Sequence, residues 1–348
     1  MQRNKTEPSN TVPTPHGKLV TDEYQEDETL KLLPVPKEND INSQREELVK
    51  EQVSIDPLSE PTRTPNRSKF SVTSDSLDII KVDVPRLLLS PLFTSQSIQD
   101  DIVQILYNYD HSYTSYRQGY HELCGLIYLV LHEDSDDETS SLISRSDFNK
   151  EVFTTMINFI GPIVSQFYIE DSILGWSVSI FNRNLLLVDY PLYELLLKYH
   201  HIETQIWVIR WVRLILLREL GLQNSTRFVD FMWSYDSDIT KLMSYIIIIL
   251  LIRIKLSLVE CEDSGEVLYL LLHYPYIEYS DSDICQMIEF AIQMDQCHGD
   301  EKKLKEVGVQ CNKWFHKGFK WEKVKDLGKL RLELKLKRRV RGVLGGSK

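Results

Sequence analysis

The amino-acid sequence predicts an all-α protein that follows a disordered N-terminal segment. Apolar residues recur at helical spacing from residue 98 to residue 274, and no stretch shows the sustained alternation or the Asn-Gly turn of a β-hairpin. Residues 1–75 are rich in Pro, Ser, Thr, Asn and acidic residues, and most of this length lacks the apolar surface that would offset the entropy of ordering. We therefore predict disorder over most of it, with residues 1–44 as the N-terminal segment that precedes the helical domain. The whole chain, with 42% apolar and 26% charged residues, has the composition of a globular protein with a sizeable core.

The first predicted helices lie between residues 45 and 132. A short helix is expected around residues 45–50, and a longer amphipathic helix over residues 98–109, where Ser97 opens an N-terminal capping sequence. Residues 121–132 are nearly all apolar after Glu122, which indicates a helix that is buried on most sides.

An acidic, polar stretch at residues 133–147 predicts a surface loop before the second half of the helices. The β-branched run Ile246–Ile252 is ambiguous by itself, but it is far shorter than the roughly 18 residues of a membrane span, and we interpret it as a buried helix. Gly221 stands where a helix C-cap is expected. Helices are predicted at 152–167, 192–199, 203–220, 226–235, 245–259 and 267–274.

Charge divides the chain into an acidic body and a basic end. The net charge is −11, yet residues 313–348 carry thirteen Lys and Arg against three acidic residues. The acidic body argues against broad nucleic-acid binding. We predict a C-terminal helical extension over residues 278–322 and a basic tail over residues 323–348. The tail is either a peripheral contact to an anionic membrane or a solvated helix face, and the sequence leaves both interpretations open.

Cysteine usage and the N-terminus predict a cytoplasmic protein. The five cysteines are scattered and form no Cys-x-x-Cys pair, which argues against a disulfide framework and a zinc site. Residues 1–18 are polar and contain Pro, so no secretory signal is visible.

Two short motifs place an arginine and a glutamine at candidate catalytic positions. Arg86 follows Asp83 and Pro85, which can cap and restrict the backbone beside it, and Gln118 precedes Gly119, which permits a turn. Hydrolysis of a phosphoanhydride needs a group that orients water and a cation that meets the developing negative charge. Taken alone, Arg86 is better explained as a solvated side chain near a helix start, and Gln118 as part of a turn before the helix at 121–132.

Taken in order, these motifs resemble the TBC-domain family of Rab GTPase-activating proteins. Residues 80–87 read Ile-Lys-Val-Asp-Val-Pro-Arg-Leu, similar to the family's Ile-x-x-Asp-x-x-Arg-Thr, and residues 116–119 read Tyr-Arg-Gln-Gly, which matches Tyr-x-Gln-Gly. Arg210-Trp211 and residues 218–220, Arg-Glu-Leu, are similar to the family's Arg-Trp and Arg-Glu-Phe. The resemblance covers residues 45–277 and implies two helical subdomains that form a V-shaped TBC domain.

The resemblance implies a dual-finger mechanism on a Rab-family GTPase in its GTP form. Arg86 would stabilise transition-state charge and Gln118 would orient the hydrolytic water, while Asp83 would hold the arginine loop and Tyr116 would pack beneath the glutamine loop. GTP and Mg²⁺ would arrive with the GTPase, so no intrinsic cofactor or metal is expected. The chain would act as an activator of the GTPase's own hydrolysis rather than as an enzyme with its own substrate.

Three residues depart from the family pattern. Leu87 replaces Thr after the arginine, His121 replaces the usual Asn, and Ser234 follows Trp233 where Trp-Asp is common. His121 also occurs in a family subgroup linked to endosome and Golgi traffic, which implies a cytoplasmic protein peripheral to those membranes. By its own chemistry it is a structural helix-start residue rather than a proton-transfer group.

Two other functions fit the same sequence. A catalytically silent TBC scaffold would bind a GTPase or a membrane-coat component without turnover, and a helical adaptor would be tethered to anionic lipid by the basic tail. No nucleophile-elbow, P-loop or His-Glu-x-x-His motif is present, which argues against a serine hydrolase, a nucleotide-binding ATPase and a zinc protease.

Overall fold

The structure is a computed structural model that describes residues 32–36, 69–135, 145–235, 237–319, 321, 328–334 and 336. Within these residues the regular secondary structure is entirely helical, which confirms the all-α prediction. The helix predicted at residues 45–50 and most of the predicted disordered segment lie outside the described residues.

We number the α-helices in chain order. They are α1 Lys69–Asp83, α2 Gln96–Ser112, α3 Tyr120–Ser135, α4 Arg145–Ile163, α5 Glu170–Trp176, α6 Arg183–Val188, α7 Tyr190–Tyr193, α8 Gln205–Arg213, α9 Leu217–Leu220, α10 Leu222–Ser234, α11 Ile239–Arg253, α12 Lys255–Glu260, α13 Ser264–Leu272, α14 Asp281–Gln296 and α15 Glu301–Phe315. Short 3₁₀ turns at Val84–Arg86 and Pro91–Thr94 and π-helical turns at Val164–Tyr168, Ser177–Asn182 and Glu194–Tyr199 connect several of them.

The helices pack in two groups. Helices α1 to α4 pack on one another, while α10, α11, α14 and α15 form a second group that also contacts α6. The turn Val164–Tyr168 continues α4 and packs against α8. One continuous core of buried apolar side chains runs through both groups.

Helix α11 explains the ambiguous run of isoleucines. Every residue from Leu242 to Ile252 is buried, and Asp238 caps the helix by accepting a hydrogen bond from the Thr240 backbone N–H at 2.8 Å. β-Branched residues cost a few tenths of a kcal/mol each in a helix, whereas full burial of such a side chain contributes about 1.5–3 kcal/mol. Burial therefore outweighs propensity. Across the described part of the chain, no helix is long and apolar enough to span a membrane.

Most predicted helix boundaries differ from the structure by a few residues, and helices α3 and α4 extend into both ends of the loop predicted at 133–147, whose middle lies outside the described residues. Two of the differences have a clear physical cause. The helix predicted at 203–220 is divided into α8 and α9, because Ile215 and Leu216 adopt positive φ angles of 51° and 60°. Both side chains are fully buried, and this burial offsets the backbone strain. Helix α2 begins before the predicted cap Ser97, since the turn Pro91–Thr94 leads directly into it and Gln99 bonds back to the Phe93 carbonyl. Gly221 is a C-cap with positive φ, as predicted.

The disorder predicted for residues 1–75 is wrong at residues 69–75, which begin α1, and residues 32–36 are a second exception. The backbone N–H of Leu33 donates to Asn108 Oδ1 at 2.7 Å, and Asn108 Nδ2 donates to the Leu33 carbonyl at 3.0 Å. Asn108 is a buried residue of α2. This short segment is therefore hydrogen-bonded to the first group of helices.

Part of the predicted basic tail also packs on the body. Residues 328–334 are helical, and Leu330 and Arg331 are buried. The guanidinium of Arg331 donates to the carbonyls of Cys261 and Glu262. The basic residues of the tail beyond residue 336 lie outside the described part of the chain.

Candidate functional site

Arg86 projects from a short 3₁₀ turn that follows α1. Pro85 restricts the backbone beside it, Val84 and Leu87 are buried on either side, and the Leu87 N–H donates to the Val84 carbonyl at 3.1 Å. The Arg86 side chain is 65% exposed. Its backbone is therefore fixed while its guanidinium is accessible to another molecule.

A leucine, Leu87, stands where the family has threonine, and its side chain packs against α3. A Cβ at Gly125 would lie 3.1 Å from Leu87 Cδ2, so the leucine covers the space that the glycine leaves open. The leucine side chain thus makes an apolar contact between the arginine turn and α3.

Asp83 does not cap a helix start, which corrects the role that the sequence suggested for its side chain. It is the last residue of α1, and its side chain makes no capping hydrogen bond. The buried carboxylate has other partners instead: Oδ1 accepts from Arg86 Nη1 at 3.3 Å, and Oδ2 accepts from the Tyr116 hydroxyl at 3.1 Å. Asp83 thus contacts both candidate loops.

Tyr116 and His121 complete a buried hydrogen-bonded network. Because the single proton of the Tyr116 hydroxyl is donated to Asp83, His121 Nδ1, 2.8 Å away, must be the donor to the tyrosine oxygen. Burial lowers the pKa of His121 and outweighs the opposing effect of the Asp83 charge, while burial raises the pKa of Tyr116. A neutral imidazole protonated at Nδ1 satisfies the network, and His121 is a structural residue at the start of α3.

Gln118 lies in the turn that leads into α3. Its side chain is exposed, whereas the flanking Tyr116 and Gly119 are buried. The Tyr116 N–H donates to the Asp110 carboxylate, and the Tyr120 N–H donates to the Arg117 carbonyl at 3.1 Å. Gly119 has a φ of +106°, a conformation that glycine adopts without strain.

The structure therefore brings the sequence-predicted residues into one region. Asp83, Arg86, Tyr116 and His121 form a continuous set of contacts, although Asp83 and Tyr116 are 33 residues apart in sequence. Gln118 and Gly119 lie in the turn between Tyr116 and α3. Neither finger side chain is buried, so both are accessible to a partner.

Two contacts around this region were not predicted from the sequence. Arg218 of α9 forms an ion pair with Glu122 in the first turn of α3, which raises the pKa of Arg218 and ties α3 to α9. Arg117 donates to the backbone carbonyl of Tyr168, 51 residues away. The motif residues Arg117 and Arg218 were visible in the sequence, but nothing local to them indicated these partners.

Comparison with known proteins identifies the family. The chain is 26% identical over 255 residues to TBC1 domain family member 5 of Homo sapiens, in an alignment that covers 60% of this chain and 31% of that protein. The chain thus spans about a third of the length of this curated relative. The crystal structure of the Ypt/Rab-GAP domain of Gyp1p has a similar fold, with a TM-score of 0.56 and 19% identity, over 75% of this chain and 81% of that one. The family model of the Rab-GTPase-TBC domain matches residues 43–259, more than half of the chain, and the protein therefore belongs to the Rab-GTPase-TBC domain family.

Proposed function

We propose that this protein is a GTPase-activating protein that stimulates GTP hydrolysis by a Rab-family GTPase through an arginine and a glutamine finger. One observation carries this proposal. Arg86 and Gln118 are both exposed, while the backbone around each is fixed by the buried network of Asp83, Tyr116 and His121. Exposed reactive groups on a rigid base are what catalysis in trans requires.

The chemistry assigns a separate task to each finger. A water molecule attacks the γ-phosphorus, the bond to the β–γ bridging oxygen breaks, and the products are GDP and inorganic phosphate. The Gln118 carboxamide can accept from this water and donate to a γ-phosphate oxygen, and the Arg86 guanidinium can neutralise the charge that grows on the phosphate oxygens. GTP and Mg²⁺ belong to the GTPase in this scheme, and the chain supplies neither.

The ion pair between Arg86 and Asp83 suits a finger that must move a short distance. A single contact at 3.3 Å between a buried carboxylate and a mostly exposed guanidinium orients the side chain without immobilising it. Ion pairs with an exposed partner are worth about 0–1 kcal/mol, far less than a charge-assisted contact to a phosphate in a water-excluded site. The guanidinium can therefore exchange part of its contact with Asp83 for the nucleotide.

Single-turnover hydrolysis of GTP bound to a panel of Rab GTPases tests the proposal. We expect the full chain to accelerate at least one Rab, and Arg86→Ala to remove roughly 10³ to 10⁵ of that acceleration, with Gln118→Ala causing a comparable loss. Arg227→Ala is the matched control. Arg227 forms an ion pair with Asp281, and its substitution removes the same positive charge at a different place. Acceleration that survives both finger substitutions would exclude the mechanism.

Substitution of Leu88 distinguishes an effect on binding of the GTPase from an effect on catalysis in the same assay. This leucine is 93% exposed and lies two residues after Arg86, so it is an apolar contact available to the GTPase. Leu88→Ala is expected to raise KM several-fold and to leave kcat unchanged, since it removes binding and not transition-state contacts. Binding of a GTP-loaded Rab with no acceleration by the wild-type chain would instead favour the silent scaffold.

We further propose that the pathway served is endosome–Golgi vesicle traffic and that the protein is peripheral on those membranes. This part of the proposal is supported by His121 in the glutamine motif and by the family resemblance. A fluorescently tagged full chain should colocalise with endosomal or Golgi markers. If the tagged protein is distributed uniformly and is not recruited to membranes by any active Rab, the proposed location is wrong.

A further inference from the structure

Tyr168 is held rigidly at the end of the π-helical turn that continues α4. Its side chain is buried, and its hydroxyl donates to the Arg213 carbonyl at 3.1 Å. Arg213 in turn donates from Nε to the Phe167 carbonyl at 2.9 Å, and its guanidinium lies 5.1 Å from the centre of the Tyr168 ring. Tyr168 is thus fixed on both its backbone and its ring.

The turn that carries Gln118 rests on this tyrosine at three points. Arg117 Nη1 donates to the Tyr168 carbonyl at 3.1 Å. Gly119 approaches so closely that a Cβ there would lie 2.9 Å from the Tyr168 hydroxyl oxygen. The ring of Tyr120 meets the ring of Tyr168 edge to face, with centroids 4.9 Å apart. These contacts involve the residue before Gln118 and the two residues after it.

We propose that Arg117 and Tyr168 form a clamp that positions the Gln118 carboxamide for the hydrolytic water. This inference rests on the proposed function and adds a positioning residue to it. The network of Asp83, Tyr116 and His121 holds the turn on its N-terminal side, and Gly119 and Tyr120 hold it on its C-terminal side. Arg117 lies between these anchors and fixes the peptide groups next to Gln118.

The need for a clamp follows from the geometry of water activation. A carboxamide must hold the attacking water in line with the bond that breaks, and a displacement of about 1 Å can cost about 100-fold in rate. Within its own turn, the hydrogen bond from the Tyr120 N–H to the Arg117 carbonyl closes the backbone around Gln118, whose side chain is exposed and flexible. The contact of Arg117 with the Tyr168 carbonyl adds a restraint from outside the turn.

Three variants of the full chain test the clamp: Arg117→Ala, Arg117→Lys and the surface control Arg227→Ala. Arg117 is exposed and Arg227 is half-buried at the surface, so the fold should survive all three substitutions. Hydrogen–deuterium exchange of the peptide that covers residues 113–120 needs no GTPase and reports the clamp directly. We expect exchange about tenfold faster in Arg117→Ala, an intermediate rate in Arg117→Lys, which keeps one donor, and the wild-type rate in Arg227→Ala.

Single-turnover kinetics with the activated Rab gives the second measurement. Arg117→Ala should lower kcat about tenfold, which corresponds to about 1.4 kcal/mol, and leave KM unchanged. Arg117→Lys should recover part of kcat. Arg227→Ala should match the wild type.

The outcomes separate this inference from the proposed function. Unchanged exchange in Arg117→Ala would overturn the clamp, as would a raised KM with normal kcat, which would make Arg117 a direct contact to the GTPase. If the wild-type chain accelerates no Rab, the proposed function fails, while the exchange measurement still decides whether the clamp restrains the turn.

Discussion

Asp83 joins the arginine turn to the loop that carries Gln118. One carboxylate oxygen contacts Arg86 and the other accepts from Tyr116, whose hydroxyl also accepts from His121. The sequence motif predicted that Asp83 supports the arginine and that Tyr116 supports the glutamine loop. It did not show that the two supports are a single hydrogen-bonded unit.

Tyr116→Phe should weaken this unit without emptying the core. The ring keeps its edge-to-face contact with Tyr120, but Asp83 loses a donor and His121 loses an acceptor in a buried place. Leaving such groups unpaired costs about 1–3 kcal/mol, so the free energy of unfolding should fall by that amount in urea titration. Tyr276→Phe, at a tyrosine that is 94% exposed, is the control and should unfold like the wild type. Equal stability of all three proteins would show that the network contributes nothing.

Glu219 is another buried carboxylate, and neither of its oxygens has a hydrogen-bond partner among the described residues. Arg210 Nε lies 4.0 Å from its Oε1, close enough for charge attraction but too far for a hydrogen bond. Burial raises the pKa of Glu219 to about 7, against a partial opposing effect of Arg210. The carboxyl group therefore titrates near neutral pH in the folded protein.

Glu219→Gln should remove a pH dependence of stability. Because the folded pKa lies above the unfolded value of 4.5, the favourable contribution of protonated Glu219 is fully present below pH 4.5 and is lost as pH rises through 7. Relative to Glu219→Gln, the wild type should lose on the order of 2 kcal/mol of stability between pH 5 and pH 8. Urea unfolding of both proteins across this range measures the difference, and His121 titrates equally in both. A pH-independent difference would contradict the raised pKa.

At the scale of elements, the turn before α3 depends on a glycine for two reasons. Gly119 has a positive φ, and a Cβ would also come within 2.9 Å of the Tyr168 hydroxyl oxygen and 3.3 Å of Leu214 Cδ2. Either reason disfavours a side chain, but only the second is specific to this site.

Gly119→Ala and Gly299→Ala separate the two reasons. Gly299 has a φ of +85° and nothing within 4 Å of a built Cβ, so its substitution measures backbone strain alone, about 1 kcal/mol. Gly119→Ala should destabilise by about 1–3 kcal/mol more in urea unfolding, because it also displaces buried atoms. Gly119→Ala should also lower the stimulation of GTP hydrolysis by the Rab, whereas Gly299→Ala should leave that stimulation intact. If both variants are destabilised equally, the close approach of Gly119 to Tyr168 does not contribute to stability, and Tyr168 is not the support of the turn.

Helix α2 holds the N-terminal residues 32–36 through Asn108. Asn108 Oδ1 accepts from the Leu33 N–H, and Asn108 Nδ2 donates to the carbonyls of Leu33 and Gln104. Both N–H donors of the amide are therefore used. This segment lies outside the region matched by the family model, residues 43–259.

Truncation should show that this contact stabilises the first group of helices. Removal of residues 1–36 should lower the free energy of unfolding by about 1–2 kcal/mol relative to removal of residues 1–31, because Asn108 loses two partners. In an Asn108→Ala background the same comparison should give a smaller difference, as a double-mutant cycle requires for a direct contact. The same loss in both backgrounds would assign the effect to Leu32 and Val35 instead.

For the whole molecule, the distribution of charge predicts how the protein meets a membrane. The body is acidic and the C-terminal end is basic, and Leu330 and Arg331 of that end pack on the body. Deleting residues 323–348 would therefore uncover buried surface as well as remove charge.

A fourfold substitution tests the membrane contact without that side effect. Changing Lys337, Arg338, Arg339 and Arg341 to Ser should reduce flotation with phosphatidylserine vesicles more than tenfold, since each basic residue near an anionic surface contributes about 1 kcal/mol. Raising the salt from 0.1 M to 0.5 M should reduce the wild-type signal in the same way. Flotation that neither change affects would exclude the basic tail as a tether.

The sequence-based predictions were accurate where the interactions are local in sequence and failed where the partners are far apart in sequence. The positions of α2, α3, α10 and α11 were predicted from periodicity, and Arg86 and Gln118 were expected to be exposed beside helix starts. The division of 203–220 at Ile215 was missed, since strained φ angles there are tolerated only because the core covers both side chains. Asn108 and Tyr168 were missed because their partners lie 75 and 51 residues away.

The sequence by itself determined the helical class, the residues of both finger motifs and the acidic body with its basic end. These features depend on residue type and on spacings of a few residues, which a helix repeats every 3.6 residues. Only the tertiary structure decided that Asp83 joins the two finger loops and that the glutamine turn rests on Tyr168, through contacts between residues 33 and 51 positions apart. Contacts between residues so distant in sequence exist only after the core has packed the helices together, and no local pattern encodes them.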